Sequence, residues 1–239
     1  MTTFAAVLER RLRSTPGSPL LTFYDRATGE RTELSVTTYA NWVAKTASLL
    51  AEELDLERGA RLVLDLPPHW LGPVFLGAAW TLGLEVAWPE EEPPPDGAAV
   101  CGPDTLPRWA PLATDLPVIA TALLPLGGRF ADPVPPGVHD LGLEVWAQPD
   151  AFTAWDPPGD DDLAVPGRTQ GDLFGATPGT IGVSDGDRLL STANPASADG
   201  LACFTEALAR NGSLVLVRHA TPEDLDAVAA SERVTTRWP

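Results

Sequence analysis

The stretch GARLVLDLPPHWLGPVFLGAAWTLGLEVAW, residues 59–88, decides the fold of this protein. Arg61 to Leu66 is a short apolar run of the kind that a buried β-strand provides. Pro67 and Pro68 end that strand, because proline has no N–H for a β-ladder and holds the preceding residue extended. A helical pattern starts at about His69 and stops at Gly83, where a left-handed cap is expected, and a second strand begins at Leu84. The stretch therefore predicts one buried strand, helix, strand unit.

A membrane span is the alternative interpretation of the same stretch. Leu66 to Leu84 contains no charged residue over nineteen positions, which is long enough to cross a bilayer. Three prolines and a histidine lie in its first half, and no positively charged flank marks a cytoplasmic side. Burial inside a globular domain is the prediction.

Composition and charge exclude several classes of partner. The chain has 239 residues, of which 44% are hydrophobic, and a net charge of −17. That size and apolar content allow one large domain or two small ones. The negative charge disfavours binding to phosphate backbones or anionic lipid, so no nucleic acid and no membrane are expected as partners. The N-terminus MTTFAAVLERRLR lacks the apolar core of a secretion signal, which predicts a cytoplasmic protein.

Neither cysteine nor histidine forms a recognisable metal or redox motif. Cys101 and Cys203 lie far apart without a CxxC pattern and are predicted to be buried thiols. His69, His139 and His219 share no HExxH or HxH spacing. We therefore assign no metal ligands, and interpret the histidines as structural or surface residues.

Lys45 is the only lysine in the chain, so any chemistry that requires a lysine must use it. It lies on a helix predicted from about Thr37 to Leu54, away from the apolar stripe of that helix. The prediction is that Lys45 occupies a solvated face.

The remaining sequence alternates predicted strands with predicted helices, which indicates an α/β fold with a doubly wound, mostly parallel sheet and an early antiparallel hairpin. We expect a single domain over residues 1–239, which allows two sub-layers, residues 1–125 and 160–239, joined by the proline-rich segment 126–159. That segment carries Trp146, Phe152 and Trp155, which are expected to cover an edge of the core. The predicted elements outside the opening stretch are helices at Thr3–Ser14, Thr37–Leu54, Leu106–Leu112, Gly200–Arg210 and Pro222–Ser231, and strands at Leu20–Asp25, Arg31–Ser35, Ala98–Gly102, Val118–Leu123, Arg188–Thr192, Ser213–Arg218 and Arg233–Trp238.

Several segments resemble one protein family. LLTFYDRATGERTELSVTTYANWVAKTASLLAEEL (residues 20–54), GARLVLDLPPHW and the helix ending AAWTLGLEVAW resemble the opening of the AMP-forming acyl-CoA synthetase and adenylation-domain family. GDRLLSTANPASADGLACFTEALARNGSLVLVRHATPEDLDAVAASERVT (residues 186–235) resembles the following part of the same N-terminal domain. The likeness covers most of the chain and implies the fold of the N-terminal subdomains of AMP-dependent ligases.

The segments that carry the family's chemistry do not match. Family members bind ATP phosphates with a loop of the form YTSGTTGxPKG, whose backbone N–H groups, hydroxyls and lysine neutralise a polyphosphate. Here DDLAV, which resembles the strand before that loop, runs through Pro166 and Gly167 into RTQGDLF, which resembles the segment after it. The nearby GATPGTIG has neither Walker spacing nor a lysine. Thr205-Glu206 lacks the preceding glycine of the family's aromatic-Gly-x-Thr-Glu segment.

The resemblance also stops before the family's ribose-binding aspartate, its hinge and its C-terminal domain with the catalytic lysine. We therefore expect a truncated, catalytically inactive relative, and assign no catalytic residue, no cofactor-binding residue and no cofactor. An alternative is a split acyl-CoA synthetase that another chain completes.

A serine hydrolase is the rival from another class. Gly182 to Gly186 fits GxSxG, and Ser184, Asp199 or Glu206, and His219 follow in the order of a hydrolase triad. The nucleophile elbow requires a strand before the serine and a helix after it. Here a glycine-rich segment precedes Ser184 and a predicted strand follows, so a turn is the favoured interpretation.

The predicted architecture places any binding cleft at the carboxyl edge of the sheet, near Leu66-Pro67, Gly102-Pro103 and Ala193-Asn194. An acyl or nucleotide ligand is the expected occupant. The last strand, from Arg233 to Trp238, would leave an exposed sheet edge, which predicts a homo-oligomer or a protein partner.

Overall fold

Strands and helices alternate along the part of the chain that the computed structural model describes, residues 2–89, 97–175 and 179–239. The strands are β1 (Pro19–Asp25), β2 (Glu30–Ser35), β3 (Arg61–Asp65), β4 (Glu85–Ala87), β5 (Gly97–Cys101), β6 (Val118–Ala120), β7 (Val138–Asp140), β8 (Leu163–Val165), β9 (Arg168–Thr169), β10 (Arg188–Ser191), β11 (Ser213–Arg218) and β12 (Thr236–Trp238). The α-helices are α1 (Phe4–Ser14), α2 (Val36–Ser48), α3 (Leu71–Leu82), α4 (Leu106–Trp109), α5 (Leu141–Glu144), α6 (Gln170–Phe174), α7 (Leu201–Ala209) and α8 (Pro222–Ser231).

The strands form two five-stranded sheets and one small hairpin. The first sheet has the order β12-β10-β11-β1-β2 and is parallel except for the β1–β2 hairpin. The second sheet has the order β4-β3-β5-β6-β7 and is parallel throughout. The α/β class, the mostly parallel strands and the early hairpin are thus confirmed, with the strands divided between two sheets.

The first sheet joins strands from both ends of the chain. Leu21 on β1 lies opposite Leu214 on β11, and this parallel register continues to Asp25 and Arg218. The division into residues 1–125 and 160–239 therefore does not coincide with the two sheets, because the N-terminal hairpin pairs with a strand almost two hundred residues later.

A layer of helices lies between the sheets. The main hydrophobic core contains buried residues of α1, α2, α3 and α7 together with one face of each sheet. Helix α8 covers the other face of the first sheet, and α4 covers the other face of the second sheet. On β3, Leu62 and Leu64 point to the main core while Val63 points to the outer core. Burial on both faces explains why this strand reads as a continuous apolar run.

The opening stretch folds as predicted, into β3, α3 and β4. Gly83 has φ 76° and ends α3, its N–H bonding to the carbonyl of Ala79. Pro73 lies in the first turn of the helix, where its missing N–H costs nothing. Within the described residues, no helix combines the length and apolarity needed to cross a bilayer.

Several local predictions differ from the structure. The strand predicted over Arg233–Trp238 begins only at Thr236, and the helix predicted over Leu106–Leu112 ends at Trp109 and continues as a 3-10 turn. The helix predicted to reach Leu54 changes to a π-helical turn at Leu49–Glu53, in which Leu49 and Leu50 are both completely buried. The strand predicted over Val118–Leu123 ends at Ala120. The proline-rich segment contains β7 and α5, for which no element was predicted. A strand of three residues, Val-His-Asp, is too short to show a periodic pattern. The acidic cluster Glu90–Glu92 lies outside the described residues.

The helical layer is packed closely at Gly77 on α3. A Cβ atom there would lie 2.4 Å from the Tyr39 hydroxyl, 2.7 Å from Phe4 and 2.8 Å from Val43. Distances this short require the surrounding side chains to move, so only glycine allows α1, α2 and α3 to approach as they do.

Gly77→Ala should therefore lower the free energy of unfolding by about 1 to 3 kcal/mol, despite the better helix propensity of alanine. The matched control is Gly17→Ala, since nothing lies within 4 Å of a Cβ at Gly17 and its φ is not positive. Urea denaturation of both variants measures the difference. Equal effects of the two substitutions would contradict the packing described for α3.

Candidate functional site at the carboxyl edges

The carboxyl ends of strands from both sheets meet at one place. The Asn194 side chain, after β10, donates a hydrogen bond of 2.7 Å to the carbonyl of Leu66, after β3. The Thr105 hydroxyl donates to the carbonyl of Asp65 at 2.9 Å and accepts from the N–H of Gly102, after β5, at 3.1 Å. The structure thus brings together the three strand ends that the sequence placed at the edge, and we call this place the junction cleft.

A pocket of about 370 Å³ opens beside these strand ends, and we include it in the junction cleft. Arg218, at the end of β11, is half-buried in its wall, and among the described residues its guanidinium has no hydrogen-bond or ion-pair partner. A guanidinium in this state suits an anionic group of a ligand, because it presents several donors in a fixed plane. The pocket is lined by Pro68, Thr192, Val217, Arg218, His219, Ala220, Pro222 and Leu225.

His219 enters the same pocket with its imidazole already engaged. Its Nδ1 lies 2.9 Å from Oδ1 of Asp25, at the end of β1. Burial raises the pKa of Asp25, but the hydrogen bonds from His219 and from the N–H of Ala27 lower it more, so the net pKa is below its ordinary value. Asp25 is thus an anion paired with His219, which leaves Arg218 as the available cation of the pocket.

His69 lies just behind the pocket wall and is 2% exposed. Its Nδ1 accepts a hydrogen bond of 3.2 Å from the N–H of Leu71, so the neutral ring carries its proton on Nε2. That Nε2 has no hydrogen-bond partner in the described structure and lies 3.9 Å from Oε2 of Glu30. Burial, and then the charge of Arg218, lower the pKa of His69 to about 3. The ring is therefore a neutral, buried donor at neutral pH.

Glu30 completes this inner polar group. Its Oε1 accepts hydrogen bonds from the Trp70 indole at 3.2 Å and from the Thr32 hydroxyl at 2.8 Å. The side chain is only 5% exposed. Nothing in the sequence marks Glu30 or Arg218, since both are ordinary residues at strand ends. Only the pairing of β1 with β2 and β11 brings them to the cleft.

The predicted site of the missing phosphate loop is a tight hairpin. Strands β8 and β9 pair antiparallel, with Val165 opposite Arg168, and only Pro166 and Gly167 lie between them. Gly167 has φ 72° at this turn. Helix α6 follows at once, capped by Thr169. The segments that resemble the two sides of the family's loop are thus joined by a two-residue turn. Ala176 to Pro178 of the following glycine-rich stretch lie outside the described residues.

The residues of the hydrolase hypothesis do not assemble. Ser184 lies in a turn before β10, and its N–H donates to Asp187 at 2.7 Å. His219 bonds to Asp25, as described above, while Glu206 on α7 accepts from the Thr180 hydroxyl at 2.9 Å. Asp199 is exposed, in the connection before α7. Ser184 thus has neither the strand before it nor the helix after it that an elbow requires.

Lys45 is not solvated, which corrects the prediction. Its side chain is 16% exposed, and its ammonium pairs with Asp150 at 3.0 Å and donates to the carbonyl of Gln148. The partners lie about a hundred residues away, in the segment that folds over α2, and no local pattern could reveal them. The Lys45 ammonium therefore holds the segment around Gln148 and Asp150 against α2.

Both cysteines are buried thiols, as predicted, and burial raises the pKa of Cys101 and of Cys203 to about 12. Within residues 2–89, 97–175 and 179–239, the His, Cys, Asp and Glu side chains form no group of three or more suited to a metal ion.

The buried His69 predicts a pH dependence of stability. The unfolded chain binds a proton at the ordinary histidine pKa of 6.5 and the folded chain only near 3. Between these values protons favour the unfolded state, so the free energy of unfolding should fall as pH decreases from 6.5, by at most about 1.4 kcal/mol per pH unit from this group. In His69→Asn the side-chain oxygen can still accept from the Leu71 N–H, but the side chain does not titrate. The free energy of unfolding of this variant, measured by urea denaturation between pH 7.5 and 5, should therefore depend less steeply on pH. An unchanged slope would show that His69 is not the group responsible.

The turn at Ser184 predicts no hydrolase activity. A fluorophosphonate probe should not label the protein above the level seen with Ser184→Ala, because no base lies within hydrogen-bond reach of the hydroxyl in the described residues. Intact-protein mass spectrometry measures the labelling. Stoichiometric labelling of the wild type that disappears in Ser184→Ala would restore the hydrolase hypothesis.

Comparison with known proteins agrees with this architecture. No model of a known protein family matches the sequence. The chain is 34% identical over 237 residues to the TIGR03089 family protein of Mycobacterium tuberculosis (strain ATCC 25618 / H37Rv), an alignment that covers 96% of this chain and 95% of that protein.

Solved acyl-CoA synthetases share the fold. An acyl-CoA synthetase of Brucella canis superposes with a TM-score of 0.79 at 18% identity, over 99% of this chain and 47% of that one. A benzoate CoA ligase of Burkholderia xenovorans LB400 gives 0.74 at 18% identity, over 99% and 50%. The N-terminal domain of FACL13 of Mycobacterium tuberculosis gives 0.73 at 17% identity, over 99% and 62%. The chain thus spans about half the length of the two full synthetases. It belongs to the TIGR03089 family, and its fold is that of the N-terminal part of the AMP-forming acyl-CoA synthetases.

Proposed function

We propose that this protein is a non-catalytic relative of the acyl-CoA synthetases that binds an anionic acyl or nucleotide ligand in the junction cleft. The observation that carries the proposal is the hairpin at Pro166 and Gly167, which stands where the family resemblance calls for a phosphate-binding loop. A phosphate loop works by turning several backbone N–H groups toward the phosphate oxygens. A two-residue connection between paired strands cannot surround a triphosphate in that way.

The lysine chemistry of such a loop is missing as well. Lys45 is the only lysine, and it is held by Gln148 and Asp150. Adenylation requires positive charge and donors on the transferring phosphate as charge develops, and these supply most of the rate. Without them the fold retains a binding surface but loses the means to lower the barrier.

The junction cleft supports ligand binding in its own right. The pocket of about 370 Å³ lies within the usual range for small-molecule sites. Its walls combine apolar residues such as Val217 and Leu225 with the unpaired guanidinium of Arg218. A free fatty acid offers an apolar body with a carboxylate, and an acyl-CoA offers an apolar acyl chain with phosphates on its CoA part. AMP offers a planar base with one phosphate, so each of the three has an anionic group for Arg218.

We expect the purified chain to show no ATP-pyrophosphate exchange above background. In a thermal-shift screen of ATP, AMP, CoA and acyl-CoA, at least one ligand with an anionic group should raise the unfolding midpoint, by about 5 to 10 °C at a hundredfold excess over its Kd. Arg218→Ala should abolish that shift, because it removes the cation of the pocket.

Arg210→Ala is the matched control, since Arg210 is also half-buried and does not line the pocket. Loss of the shift in both variants, or no shift with any ligand, would count against the cleft as a ligand site. Robust exchange by the isolated chain would overturn the non-catalytic assignment. Exchange that requires a second gene product would favour the split synthetase instead.

A further inference from the structure

A long groove on another face of the molecule combines negative charge with apolar surface. Its larger part, of about 900 Å³, lies between the π-helical end of α2 and the segment that contains Phe152 and Trp155. A neighbouring part of about 520 Å³ shares Leu56, Glu57 and Arg58 with it. The two parts are therefore adjacent, and we call them together the acidic trough.

The floor of the larger part is apolar. Leu56 and Leu82 belong to the main core and are 8% and 6% exposed, and Phe152 packs against that core from outside. Leu56 and Leu82 are thus almost covered, and the apolar surface that a partner can contact is offered by the half-buried Phe152 and the exposed Trp155. The residues of the floor are fixed by the core, so the surface is preformed.

The rim carries carboxylates without partners. Glu52 and Glu57 are exposed, and neither side chain forms a hydrogen bond or an ion pair within the described residues. The smaller part adds Asp55 and Asp115. A cluster of like charges on an already acidic chain is unfavourable by itself, and a cationic partner would relieve that repulsion.

Arg58, the cation of the trough, is already neutralised. It bonds to Asp156 at 3.0 Å and to both carboxylate oxygens of Asp162 at 2.7 and 2.8 Å. These ion pairs fasten the segment around Trp155 beside the end of α2 and form the second wall of the groove. The charge left in the trough is therefore negative.

Trp155 stands on this wall and is fully exposed, at 102% of its reference surface. The expectation that it covers an edge of the core is wrong, since its ring contacts solvent only. Of the three aromatic residues in the proline-rich segment, Phe152 packs against the core, and Trp146 contacts Trp42 edge to face with ring centroids 5.3 Å apart. An indole face beside carboxylates is a favourable site for a guanidinium or ammonium group.

We infer that the acidic trough binds a basic, amphipathic segment of a partner protein. Two adjacent hollows that are both open to solvent suit an extended chain segment better than one compact small molecule. Arginine or lysine side chains would reach the rim carboxylates and Trp155, while aliphatic side chains would contact Phe152 and Leu82. A second copy of this chain is a poor occupant, because each copy carries a net charge of −17.

The test uses a fluorescein-labelled amphipathic peptide with leucine on one face and arginine on the other, and its anisotropy with the full chain in 150 mM salt. At that ionic strength charges separated by more than about 8 Å are screened, so general attraction to an acidic protein is reduced. The variant Glu52→Gln/Glu57→Gln should weaken binding about fivefold, and Trp155→Ala about threefold. All three residues are exposed, and unchanged thermal midpoints confirm that the variants fold.

The matched control is Asp199→Asn/Glu223→Gln, which removes the same charge from two exposed residues outside the trough. It should change the Kd less than twofold. Equal weakening by the control would overturn the inference, because binding would then follow net charge alone. So would equal binding of a peptide with glutamate in place of arginine. Sedimentation that shows dimers disrupted by Glu52→Gln/Glu57→Gln would identify a second copy as the occupant and also overturn it.

Discussion

The constraint on which the structure depends is a layer of helices buried between two sheets. Helix α3 shows it most directly, since eleven of its twelve residues are buried, from Leu71 to Leu82 with Thr81 as the exception. A helix in that position has no face on which to place charge, and it must approach its neighbours closely, as Gly77 does with Tyr39. The hydrophobic effect therefore fixes both the composition and the spacing of this layer.

The polar groups around the first sheet fall into two kinds. Glu232 is of the first kind: burial raises its pKa, but hydrogen bonds from Tyr24, Arg188 and Arg31 lower it to about 2, so the carboxylate is fully satisfied. Such a cluster ties α8 to the first sheet and has nothing left for a ligand. Arg218 is of the second kind, with a charge and no partner in the described structure. The contrast between them is what distinguishes the junction cleft from the other polar clusters of the sheet ends.

The sequence was sufficient wherever local chemistry decides the outcome. Residues 59–88 could be interpreted because proline ends β3, Gly83 ends α3, and burial on both faces makes the apolar run continuous. The three strand ends of the cleft followed from the rule that parallel strands present their carboxyl ends at one edge. What could not be predicted depends on residues distant in sequence: the pairing of β1 with β11, the capture of Lys45 by the segment around Gln148, and the position of Arg218 in a pocket. The acidic trough likewise depends on distant residues, since Glu52 and Trp155 line the same groove only after that segment folds over α2.

The hairpin at Gly167 is attached to the helical layer by buried hydrogen bonds on both sides of its turn. On one side the Trp80 indole donates to the carbonyl of Ala164 at 2.9 Å. On the other, Gln170 is completely buried, accepts from the N–H of Phe4 at 2.9 Å and donates to the carbonyl of Trp80 at 2.8 Å. The two strands are thus anchored to the helical layer directly before and after the turn. These hydrogen bonds fix the position of the turn. If the turn moved, the buried groups that bond to its flanks would lose their partners. The short connection is therefore compatible with the layering that this chain shares with the synthetase fold.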